Sequence, residues 1–337
     1  MKLNSTELQV VVVVALVIGI AVYTIARGEE TRVRYVGTDC IYYLIYENTG
    51  AIDLVGIGGS RMMTSFDADD VERKLAAIGK PNRVVYNMSQ SHFSLEKSYV
   101  VFRDLIERRK VKTAVIMLEP RQFAARPGQL HEKFLSVAKL SDIPLALSAV
   151  SSENPLQGIR GISDMIKQKL KIPPEVPSCL GKNTGRSICN RFVHQEGKTR
   201  NCHSGDYRFN LDVLNNVTEQ NKTKTDKPYV WNFDDDRESF NDTYIRALKK
   251  IADGHEVSLF FVYLNRSTRA NPDLKTSEIF EEKYGLPLLV LPRHLEHELA
   301  TMGRRDEAHI YSKGREKYLP WLFRAIQKKC PNPEGCL

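Results

Sequence analysis

The residues Ala51-Ile-Asp-Leu-Val-Gly-Ile-Gly-Gly-Ser-Arg61 set the frame in which the rest of the chain is read. The first seven form a short apolar run that closes on glycines, the pattern of a strand buried on both faces. Asp67 to Ile78 follows as a helix: Asp67 can cap it, Asp69, Asp70 and Glu72 suit its first turns, and Gly79 with Pro81 stops it. Arg83-Val-Val-Tyr-Asn87 reads as a second strand, and Ser94 to Arg109 as a helix with Leu95, Tyr99, Phe102 and Ile106 on one face. Lys112 to Leu118 is a third strand. Glu256 to Leu264 and Leu286 to Leu291 are two more, and a helix around Phe240 to Ala252 precedes the first of these. Ser312 to Lys328 closes the pattern as a helix kinked or restarted near Pro320. Alternating strands and helices predict an α/β fold, a doubly wound parallel sheet with helices on both faces. In such sheets ligands bind beyond the carboxyl ends of the strands.

The chain has 337 residues, 42 % of them apolar, with 20 glycines and 15 prolines, which excludes a collagenous or wholly disordered protein. Its net charge of +8 suits anionic surfaces such as phospholipid or acidic glycans and does not mark a nucleic-acid binder. Val10 to Ala26 is seventeen residues without a charge, near the shortest length that spans a bilayer. Arg27, Gly28, Glu29 and Glu30 follow, unlike a small-x-small cleavage site, so residues 1–27 read as an uncleaved transmembrane signal anchor and 28–50 as a linker. Lys2 before the span and Arg27, Arg32 and Arg34 after it lean toward a cytoplasmic body. The cysteines argue the opposite. Cys40, Cys179, Cys189, Cys202, Cys330 and Cys336 form an even set, and Cys330-Pro-Asn-Pro-Glu-Gly-Cys336 has the form of a small disulfide loop. Spacings of 10, 13 and 6 residues contain no close Cys-x-x-Cys pair, so zinc is the weaker reading. Disulfides place the body outside the cytoplasm. Residues 51–329 then form one α/β domain, with an irregular insertion at about 124–238, and 330–337 a Cys-flanked tail.

Four segments that follow strands carry the candidate chemistry. Gly58-Gly-Ser60-Arg61 places a serine on a glycine-rich strand-to-helix turn, where its hydroxyl can be exposed and its own N–H can face a developing oxyanion. The phosphate-loop pattern fails for want of Gly-Lys-Ser/Thr. Asn87 could donate its amide to an oxyanion, and His92 is a minor candidate base. Arg121 could hold an anionic or carbonyl group, or pair with Glu119. Asp306-Glu-Ala-His309 lies before the final helix, where His309 could be a base with a carboxylate able to fix its tautomer, a cap of that helix or a surface residue. His294, His297 and Glu298 resemble a metal-ligand set but lack the His-Glu-x-x-His order.

Gly58-Gly-Ser-Arg61, Val85-Tyr-Asn87, Leu118-Glu-Pro-Arg-Gln-Phe123 and Asp306-x-x-His309 together resemble the SGNH (GDSL-like) hydrolase superfamily. More narrowly they resemble its membrane-anchored branch associated with O-acylation of bacterial cell-surface polysaccharides. The resemblance covers about 145 residues. Gly-Gly-Ser-Arg stands in place of Gly-Asp-Ser, and Glu119-Pro120-Arg121 where the family carries Gly-x-Asn-Asp. It implies Ser60 as nucleophile, His309 as base, Asp306 as its partner, and Asn87 with the Ser60 N–H as oxyanion hole; Arg61 and Arg121 join the substrate-binding set. The implied function is O-acyl transfer to an envelope polysaccharide with no cofactor, with esterase activity or a non-catalytic glycan-binding role as alternatives. The implied location is the inner membrane, with the body in the periplasm. The implied partners are an acylated glycan and a membrane-bound acyl-donor protein.

Overall fold

The structure is a computed structural model and describes residues 50–89, 95–118, 139–142, 144–145, 198–201, 206–209, 239–264, 274–303, 309–310, 312–330 and 333–337. The N-terminal apolar stretch, nearly all of the linker and most of the insertion lie outside these residues, as do Cys40, Cys179, Cys189 and Cys202. No helix among the described residues is long and apolar enough to cross a membrane.

The opening apolar run forms β1 (Ile52–Ile57), and the chain turns at once into a short helix, α1 (Ser60–Ser65), and then α2 (Ala68–Ala77). The cap read from sequence is present: the Asp67 carboxylate accepts from the Asp70 N–H at 3.0 Å. Next come β2 (Val85–Asn87), α3 (Leu95–Arg108) and β3 (Val111–Leu118). Within the insertion, β4 (Lys198–Asn201) and β5 (Asp206–Phe209) pair antiparallel, and the β5 backbone passes beside α1. The alternation resumes with α4 (Ser239–Gly254), β6 (Ser258–Tyr263), α5 (Leu274–Tyr284) and β7 (Leu288–Val290). α6 (Arg293–Glu298) runs into a π turn, Leu299–Gly303, and α7 (Ser312–Lys329) and α8 (Pro333–Cys336) end the chain. α7 is one helix with Pro320 inside it rather than two.

The main sheet has five strands, all parallel, in the order β2-β1-β3-β6-β7. Successive residues of a strand point to opposite faces, and both faces are apolar. On β6, Leu259, Phe261 and Tyr263 join one buried cluster with α3, α4 and α5; Phe260 and Val262 join the other with α1, α2, α6 and α7. Helices therefore cover both faces, as the unbroken apolar runs predicted. Strand order reverses about β1, with β2 on one side and β3 on the other. In sheets of this order the carboxyl ends of the strands at the switch point, here β1 and β3, are where ligands bind. α1 begins there.

The C-terminal segment is bound to the opposite, amino-terminal edge of the sheet. A disulfide joins Cys330 and Cys336, whose Cα atoms lie 6.3 Å apart. The Thr113 hydroxyl, near the start of β3, donates to the Cys336 carbonyl at 2.6 Å, and Cys336 and Leu337 are buried.

Candidate active site

The site is built on a tight turn. A Cβ at Gly56 would lie 2.6 Å from the Phe66 ring, and one at Gly58 would lie 2.6 Å from Met117 Cβ and 2.9 Å from Met62 Cβ. Only glycine lets α1 fold back this closely over β1 and β3. Ser60 is the first residue of that helix, so its N–H has no intrahelical acceptor.

A helix of six residues has little stability of its own. Long-range bonds hold it. The buried Asn87 amide donates to the carbonyls of Met63 at 3.1 Å and Phe66 at 2.7 Å, while its Oδ1 accepts from the Ser89 N–H at 3.1 Å. Arg315 of α7 donates to the Thr64 carbonyl at 2.9 Å. At the other end, the buried Arg61 guanidinium donates to the carbonyl of Leu264, just beyond β6.

His309 reaches the site from the far end of the chain. Ile310 beside it is buried in the same cluster as Met62 and Phe66. The first turns of α7 are tied to α2: Arg315 Nε meets Asp70 at 2.5 Å, and Glu316 pairs with Lys74 at 2.6 Å. The outcome is a contact of 2.9 Å between His309 Nε2 and Ser60 Oγ, two half-buried side chains 249 residues apart in sequence. With Nε2 unprotonated, the ring accepts the serine proton, the arrangement that activates a hydroxyl for nucleophilic attack.

The structure thus brings Ser60 and His309 together. Asn87 and Arg61 stand close behind them, but with their polar atoms turned to backbone carbonyls; both brace α1. Asp306, Arg121 and His92 lie outside the described residues. No group of three or more His, Cys, Asp or Glu side chains among the described residues is placed to hold a metal, His294 and His297 included. Sequence reasoning did not find Arg315. No motif or spacing marks it, because its partners Thr64, Asp67 and Asp70 are more than 240 residues away.

Two comparisons with known proteins were negative: no family model matches the chain, and no curated protein matches it significantly.

Proposed function

We propose that the chain is a serine acyltransferase of the cell envelope, related to the SGNH superfamily, that moves an O-acyl group onto a surface polysaccharide through an acyl-Ser60 intermediate. The Ser60–His309 contact of 2.9 Å at the carboxyl edge of a parallel sheet is the observation that carries this reading. Strand order and helix placement agree with an SGNH-like sheet.

In the proposed reaction His309 Nε2 takes the Ser60 proton as Oγ bonds to the ester carbonyl carbon. The carbonyl oxygen becomes an oxyanion facing the Ser60 N–H at the start of α1. The tetrahedral intermediate collapses, the carbonyl–alkoxy bond breaks, and the imidazolium returns its proton to the leaving alcohol. A sugar hydroxyl then attacks the acyl-serine, giving its proton to His309, which returns it to Ser60 Oγ as the free enzyme is restored. Asp306 would hold the imidazole in the required tautomer. The Val10–Ala26 stretch would tether the body to the outer face of the inner membrane, near a membrane-bound acyl donor.

A fluorophosphonate probe tests the nucleophile. Labelling is expected in the wild type, absent in Ser60→Ala and slowed about 10²-fold or more in His309→Ala. An acetyl ester supplied with polysaccharide then tests the acceptor: acetylated glycan is the expected product. Free acetate alone would make the protein an esterase, and an unlabelled wild type that binds glycan would make it a binding module.

A further inference from the structure

We infer that Arg315 is a positioning residue that couples the serine-bearing helix to the histidine-bearing segment, an inference that rests on the proposed acyl-transfer chemistry. Ser60 and His309 come from opposite ends of the domain, and neither stands inside a long regular element: α1 has six residues, and His309 comes before the start of α7. A catalytic pair of this kind needs its reacting atoms fixed within a fraction of an ångström. Arg315 contacts both sides of that problem. It lies six residues after His309 on α7, and its Nη1 donates to the carbonyl of Thr64, four residues after Ser60 on α1.

The planar guanidinium makes the joint stiff. Nε meets Asp70 Oδ2 at 2.5 Å and Nη2 lies 3.7 Å from Asp67 Oδ2, so one side chain binds α1 and the start of α2 together. Asp70 is also paired with Arg73, and Lys74 with Glu316. The Arg315 side chain is only 16 % exposed, so these bonds are shielded from solvent in part. Arg315 does not itself reach the reacting atoms; its effect passes through the separation of Ser60 and His309.

The test compares fluorophosphonate labelling of the full chain at neutral pH in the wild type, Arg315→Met, Arg315→Lys, His309→Ala and the Arg315→Met/His309→Ala double variant. Arg315→Met is expected to label about 10²-fold slower than wild type. The double variant should label no slower than His309→Ala, because a histidine that is absent cannot be misplaced. Lysine keeps the charge near Asp70 without the fork, so Arg315→Lys should regain thermal stability but less than half of the lost rate on a logarithmic scale. A wild-type rate in Arg315→Met, or losses that multiply in the double variant, would overturn the inference. An unlabelled wild type would instead remove the acyl-transfer reading. In that event histidine side-chain ¹⁵N spectra decide the positioning role: a shifted Nε2 resonance for His309 in Arg315→Met supports it, and an unchanged one overturns it.

Discussion

Asn87 shows how far a single side chain can be read from sequence. Its place after a strand and near a candidate nucleophile suggested an oxyanion donor, and the strand and the neighbourhood are both as read. What sequence could not supply is the target of the amide, which depends on where α1 ends in space. In the structure Asn87 is fully buried, with both amide hydrogens on carbonyls of the α1 end and Oδ1 on a backbone N–H. Replacing it by alanine leaves these buried backbone groups without partners, each at roughly 1–3 kcal/mol before relaxation. We therefore expect Asn87→Ala to lower the unfolding free energy by about 2–4 kcal/mol in urea denaturation. Asn87→Asp is the sharper variant, since it keeps shape and replaces two N–H donors by one O–H at most. A carboxylate facing two carbonyls would be held protonated, with its folded pKa above the unfolded value of about 3.9. A raised folded pKa means that stability is lost as pH rises. The deficit of Asn87→Asp should be smallest near pH 4 and grow toward neutrality. A deficit independent of pH would place Asn87 elsewhere in the energetics than as a donor to α1.

At the scale of elements, the β4–β5 pair fell in a stretch read as irregular, but the five strands of the main sheet and the helices α2, α3, α4 and α7 were legible because burial and periodicity are local properties. α1 and α5 were not. The six residues of α1 carry no amphipathic pattern long enough to register, and the groups that hold its end, Asn87 and Arg315, are supplied from other elements. α5 buries Thr276 and Ser277 beside Phe280 and Tyr284, so its inner face does not look apolar. Ser277 is at home there because its hydroxyl donates to the Leu288 carbonyl at 2.6 Å. β2 is shorter than the Arg83–Asn87 run, and the reason lies in Asp53 on β1. Its carboxylate receives Arg83 at 3.0 Å, the Val84 N–H at 2.9 Å and Lys112 at 2.5 Å, which ties the amino ends of three strands together. Burial alone would raise the Asp53 pKa, but these hydrogen bonds outweigh it and hold the group below its ordinary value. A depressed folded pKa contributes stability above the unfolded value and loses it as pH falls through the folded one. Asp53→Asn should accordingly cost on the order of 1 kcal/mol at neutral pH. The difference from wild type should begin to shrink below about pH 3.9 and vanish once the pH lies below the depressed folded value. Urea titrations at a series of pH values measure both quantities, and a gap that persists in acid would assign the loss to packing instead.

The molecule as a whole divides its labour between the two edges of one sheet. Ser60 and His309 meet at the carboxyl edge, while the Cys330–Cys336 disulfide, α8 and Leu337 close the amino edge. The place of the Ser60–His309 contact was legible, because in a parallel sheet the segments that follow the strands gather beyond its carboxyl ends. The closure of the amino edge was only half legible. The cysteine spacing announced a loop, but nothing local showed that its end would lie against β3 and receive Arg83 and Lys80 at the Leu337 carbonyl. This division makes a prediction that neither edge makes alone. A disulfide closing so short a loop restrains the unfolded chain by about 2 kcal/mol. The paired change Cys330→Ala/Cys336→Ala should lower the unfolding free energy measured in urea by that amount, with some further loss where α8 detaches. Fluorophosphonate labelling of Ser60 under native conditions should stay within about twofold of wild type, since the two sites lie at opposite ends of the parallel strands and distant sites behave additively. A stable but unlabelled double variant would mean that the amino-edge closure reaches the Ser60–His309 contact. The α7 helix, which carries Arg315 near one end and leads to Cys330 at the other, would then be the element that transmits it.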